Sequence, residues 1–126
     1  MKEIKLLALH IYPLDNDEEC DKIIEILKKD IGDVWTIEKP TSETNAIFMP
    51  IKSKRDDQKK LLDTTKLLKH LNKKTIDSIK NYDLSISLRI HYNGLYLSLP
   101  DFLIKECGRL GIEINILNEK LMRVQT

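Results

Sequence analysis

The alternation of apolar and polar positions divides this chain into short strands and helices. Ile4–Tyr12 reads as a strand. Ile4, Leu6 and Ala8 fall on one face and Leu7, Leu9 and Ile11 on the other, so the strand is expected inside a sheet and covered twice. Asn16–Ile31 has helical spacing, with Cys20, Ile23, Ile24, Leu27 and Ile31 in one stripe. Asn16 can cap that helix with Glu19 three residues on, and Gly32 supplies a left-handed stop. Val34–Glu38 and Ala46–Ile51 read as two short strands around the loop Lys39–Thr44. Asp56–Lys80 reads as a helix in two pieces, broken at Asn72-Lys73-Lys74, with Thr75 capping the second piece.

The sharpest local signal lies in Leu84–Leu99. Leu84, Ile86, Leu88, Ile90 and Tyr92 alternate with Ser85, Ser87, Arg89 and His91, and Asn93-Gly94 follows. That pair favours a two-residue type I′ hairpin turn. The turn would set Tyr92 opposite Leu95, Ile90 opposite Leu97 and Leu88 opposite Leu99. It would also place Arg89, His91 and Tyr96 on an outer face, with His91 opposite Tyr96. Pro100–Leu110 reads as another helix, ended by Gly111, and Ile112–Ile116 as a last half-buried strand. Residues after Asn118 read as a tail. The expected order is β-α-β-β-α-β-β-α-β. This is an α+β fold: a mixed, mainly antiparallel sheet with helices packed on one face, in a single domain over 1–126.

Charge adds what hydropathy does not. From Asp15 to Glu43 ten acids face four bases, a net of −6; from Lys52 to Lys80 ten bases face four acids, a net of +6. The overall +1 hides two opposed stretches, each able to present one sign to a partner. A pI near 7.7 argues against general nucleic-acid binding, and no aromatic residue lies between Phe48 and Tyr82 to stack bases on the basic stretch. The longest apolar run, Leu6–Ile11, is too short to span a bilayer, and no signal peptide is legible. Cys20 and Cys107 are isolated within apolar patterns and read as buried thiols, not a disulfide framework. The expected location is the cytoplasm.

Catalytic signals are sparse. His10, His70 and His91 have no metal-ligand spacing, so neither a metal nor another cofactor is expected; His10 reads as a satisfied, partly buried histidine. Arg89, His91 and Tyr96 are the side chains that could support acid–base chemistry of a nuclease type, set against the plainer reading of a solvated sheet face. The four glycines form no phosphate loop. Lys and Ile are plentiful and Ala occurs only at Ala8 and Ala46, a bias that points to an AT-rich bacterial coding sequence.

The segment Leu84-Ser85-Ile86-Ser87-Leu88-Arg89-Ile90-His91-Tyr92, then Gly94, then Leu97-Ser98-Leu99-Pro100-Asp101, then Leu110-Gly111-Ile112-Glu113-Ile114, resembles a family of small bacterial domains catalogued as domain of unknown function 4279. The resemblance covers roughly residues 57–117. It implies a strand pair, a helix and a helix stop, and no catalytic residue. In size and style the chain also looks like immunity proteins encoded beside polymorphic or contact-dependent bacterial toxins. That likeness implies a non-enzymatic inhibitor, monomeric or weakly dimeric, that occludes a cognate toxin domain such as a nuclease. The contacts expected are Asp15, Asp17, Glu18, Glu38 and Glu43, followed by Arg89, His91 and Tyr96. The alternatives are a nucleic-acid module using Lys59, Lys66, Lys69 and Lys73, or a small ribonuclease using His91.

Overall fold

Residues 3–118 are described by the computed structural model, and the expected tail beyond Asn118 lies outside them. The element order is β1 (Ile4–Tyr12), α1 (Asp17–Ile31), β2 (Ile47–Pro50), α2 (Asp57–Leu68), α3 (Lys73–Lys80), β3 (Ser85–Tyr92), α4 (Asp101–Leu110) and β4 (Glu113–Asn118). The strands form a mixed sheet in the order β2-β1-β3-β4. β1 runs antiparallel to β2 and β3, and β4 runs parallel to β3 across the α4 connection. The fold is α+β, as the sequence pattern implied.

One face of the sheet builds the core. Leu7, Leu9 and Ile11 of β1 stand beside Ile47 and Met49 of β2 and Ile86, Leu88 and Ile90 of β3. Buried residues of all four helices join the same cluster, among them Ile23, Leu27, Leu61, Leu68, Ile76, Ile79, Leu103 and Leu110. Each fully buried side chain of this kind contributes about 1.5–3 kcal/mol, so the helix layer is held chiefly by burial. A bulge between Ile4 and Leu6 adds Lys5 to β1. It turns Ile4 onto the core face opposite Tyr92, where strict alternation would have pointed it outward.

Local signals explain the helix ends. The Asn16 side chain accepts hydrogen bonds from the Glu18 and Glu19 N–H groups at 2.8 and 3.2 Å, and Gly32 stops α1 at φ +52. α3 begins at Asn72, not at Thr75. Its N-terminus is met from another helix: Asp30 of α1 accepts from the Asn72 N–H at 2.9 Å and from its side-chain amide at 3.0 Å. The end of α2 is tied in similarly, since Arg109 of α4 donates to the Leu68 and Leu71 carbonyls at 3.2 and 3.0 Å.

Two expected strands do not form. Val34–Glu38 contributes only one bridge, Glu38 against Phe48, which adds a single residue beyond the β2 edge. The expected hairpin is also absent, because residues 95–99 make no strand. β3 instead pairs with β1 over eight positions and with β4 over six, so both of its edges are taken by longer partners. Asn93 closes that long-range ladder rather than a turn: its Oδ1 accepts from the Glu3 N–H at 2.6 Å. Gly94 is favoured for a different reason from the one the turn supplied. A Cβ there would meet the Tyr92 ring at 2.5–2.7 Å.

Candidate functional site

The face turned away from the helices carries the polar side chains. Cross-strand register sets them in rows. Glu38, Phe48, His10, Ser87 and Glu113 form one row; Pro50, Ala8, Arg89 and Asn115 form the next. His91 stands between Leu6 and Leu117. After its bridge to Phe48, the chain turns back through residues 39–46, closed by a Thr41–Thr44 bridge with the two hydroxyls 3.1 Å apart. This loop walls a cavity of about 280 Å³ against the face, bounded by His10, Glu38, Lys39, Thr44, Phe48 and Arg89.

His10 of this lining meets a second polar group, Ser87, which lies next to it on β3 and outside the lining. His10 and Ser87 are direct cross-strand partners. The His10 Nδ1 and Ser87 Oγ atoms are both buried, and neither has a hydrogen-bond partner among the described residues. Ser87 is only 2% exposed although it lies on the outer face. The Arg89 guanidinium reaches to 6.0 Å from the Tyr12 ring centre. Tyr12 pairs with Ser85 and Arg89 with Ala8, so this contact passes diagonally over the His10–Ser87 pair. The Tyr12 ring also packs against His10 at 4.8 Å. Burial, with Arg89 beside it, drives the His10 pKa down from 6.5 to about 4, so the imidazole is neutral at physiological pH. The sequence reading of His10 as satisfied is corrected here.

The other expected contacts separate into groups. Arg89 and His91 do share the outer face of β3, both half-buried. Tyr96 does not join them: with no hairpin it sits in the connection before α4, 87% exposed, and is not paired with His91. Asp15, Asp17, Glu18, Glu38 and Glu43 are all exposed. The loop bearing Glu38 and Glu43 is held to the start of α1 by a 2.6 Å hydrogen bond from the Leu14 N–H to the Asn45 carbonyl and by the Lys39–Asp21 ion pair at 3.4 Å. No protein-family model, curated protein or solved structure matches the chain.

The buried thiols are chemically quiet. Burial pushes Cys107 up to about 11 and raises Cys20 as well. Among the described residues no three His, Cys, Asp or Glu side chains gather to hold a metal ion, and no helix is long and apolar enough to cross a membrane. The unpartnered Nδ1 of His10 is the feature of this face that the sequence pattern did not imply. The one available signal was a polar side chain within the apolar run Leu6–Ile11.

Proposed function

We propose that this chain is an immunity protein that binds and blocks a bacterial toxin domain by occlusion, without chemistry of its own, acting in the cytoplasm. The observation that carries this reading is where the charges close. Among the described residues every ion pair of the two charged stretches stays inside its own stretch: Lys22–Glu18 and Lys39–Asp21 in the acidic one, Arg55–Asp63, Lys59–Asp56 and Lys73–Asp77 in the basic one. The acids outnumber the bases within their own stretch and draw no ion pair from the basic one, which leaves a net negative surface that a partner could meet. Asp15, Asp17, Glu38 and Glu43 are exposed and enter no ion pair among the described residues. Such a surface suits a cationic catalytic domain, where complementary charge speeds encounter and selects the partner.

The test is binding of the purified chain to the toxin domain encoded beside it. A nanomolar complex that abolishes toxicity is expected. Reversing Asp17 and Glu18 to Lys should lower the association rate about ten-fold at low salt and flatten its salt dependence. Unchanged association kinetics would rule out this face, and the lack of any complex would rule out the reading. The nucleic-acid alternative has weaker support: Lys59 is paired with Asp56, the N-cap of its helix, and Lys73 with Asp77 of its own helix, and a helix break divides the basic stretch.

A further inference from the structure

Going beyond the immunity reading and independently of it, we infer that the open sheet face binds a small organic carboxylate, held by Arg89, Ser87 and His10 beside the loop 38–46. Three observations converge. First, two buried polar atoms on neighbouring strands have no hydrogen-bond partner among the described residues, although buried polar groups ordinarily have one. Second, the half-buried Arg89 guanidinium makes no ion pair among the described residues. Its contact with the Tyr12 ring, at 6.0 Å, lies at the outer limit for a cation over an aromatic face, so the guanidinium is not committed there. Third, a cavity with an apolar side, Ala46 and Phe48, opens directly beside Arg89 and His10.

The donor set selects the ligand. A planar guanidinium matches a planar carboxylate with two parallel N–H bonds. The Ser87 hydroxyl donates a further bond, and the neutral His10 imidazole can donate another in its Nδ1–H tautomer. Arg89 and His10 in the lining, with the adjacent Ser87 uncovered when Arg89 moves, thus offer one positive charge and two neutral donors, which balances a single negative charge. Glu38 on the wall opposes a dianion such as phosphate more than a monoanion, and Lys39 beside it is already paired with Asp21. About 280 Å³ is just below the usual range for ligand pockets, which limits the hydrocarbon part to a short chain or one aromatic ring.

Swinging Arg89 onto the carboxylate would withdraw the cover from Ser87 and His10 and supply both with a partner. The experiment is an NMR titration of the isotopically labelled full chain with sodium benzoate, sodium acetate and sodium phosphate, ionic strength held constant with chloride. Saturable shifts of the His10 imidazole and of the Ser87 and Arg89 amides are expected with the carboxylates. Affinity should fall at least ten-fold in Arg89→Gln and about five-fold in Ser87→Ala. Shifts that never saturate, or that chloride reproduces, would overturn the site. Tighter binding of phosphate than of either carboxylate would overturn the ligand class. If Arg89→Gln does not fold, Ser87→Ala carries the test, and unaltered affinity in it would refute the role of Ser87. No toxin enters this experiment, so its failure leaves the immunity reading standing.

Discussion

Removing the Ser87 hydroxyl should stabilise the protein. Most substitutions in a core-adjacent strand destabilise, typically by 0.5–3 kcal/mol, so the sign of this one is diagnostic. Ser87 is 2% exposed and its Oγ has no partner among the described residues. Keeping a hydroxyl buried and unbonded costs about 1–3 kcal/mol relative to leaving it in water. Ser87→Ala lifts that cost. Alanine fits a strand less well and leaves a small void, which takes back part of the gain. The net expectation is about 1 kcal/mol of added stability. For a chain of this size that is a rise in melting temperature of about 3–5 °C. In urea the midpoint should move up by about 0.5 M with the slope unchanged. Thermal and urea unfolding, both without added carboxylate, provide the assay. A melting temperature that falls would mean that the hydroxyl already has a partner in the free protein, and the argument for a waiting polar pair would fail. If stability rises while benzoate affinity drops, the position trades stability for binding.

His10 makes stability depend on pH in a defined window. Burial, then the Arg89 charge, lowers its folded pKa to about 4 against 6.5 ordinarily. Between those values the unfolded chain holds a proton that the folded one refuses, so this contribution is complete above pH 6.5 and is lost as pH falls toward 4. Screening at a half-buried site leaves about 1–2 kcal/mol, and His10→Gln should flatten that part of a stability–pH curve measured in urea. Gly94→Ala should cost about 1–3 kcal/mol by forcing the Tyr92 ring aside, with substantial recovery in Gly94→Ala/Tyr92→Leu; equal instability of the single and double variants would mean that the ring is not the obstacle.

Much of this architecture was legible because its signals are local. The α1 stripe, its Asn16 cap and its Gly32 stop lie within one stretch of chain, as do the α4 stripe and Gly111, which takes the left-handed conformation at φ +71. The break between α2 and α3 fell where polar residues interrupt the pattern, but the cap was misplaced because its partner, Asp30, comes from another helix. Strand pairing was harder. Alternation along Ser85–Tyr92 reports which side chains share a face and says nothing of which strand lies alongside. Asn93-Gly94 spoke for a hairpin, and the pairing of β3 with β1 prevailed because it supplies more buried apolar contact than residues 95–99 can. Tyr96 went astray with that hairpin. The His10–Ser87 pair was invisible for the same reason: it exists only once β1 and β3 are neighbours.

That pairing also sets a timetable for synthesis. β1 ends at Tyr12 and its main partner does not begin until Ser85. At ribosomal rates of about 5–20 residues per second, β1 waits roughly 4–15 s before β3 can be made. Throughout that interval Leu6–Ile11, a run with no charge and no proline, is without its longest partner. Runs of this type recruit other chains readily. The β2 segment arrives earlier and covers one edge over four positions, leaving the other edge bare. Nascent chains arrested before residue 85 should therefore be the most aggregation-prone species this protein forms, and the acids that follow directly after β1 would then act as its gatekeepers.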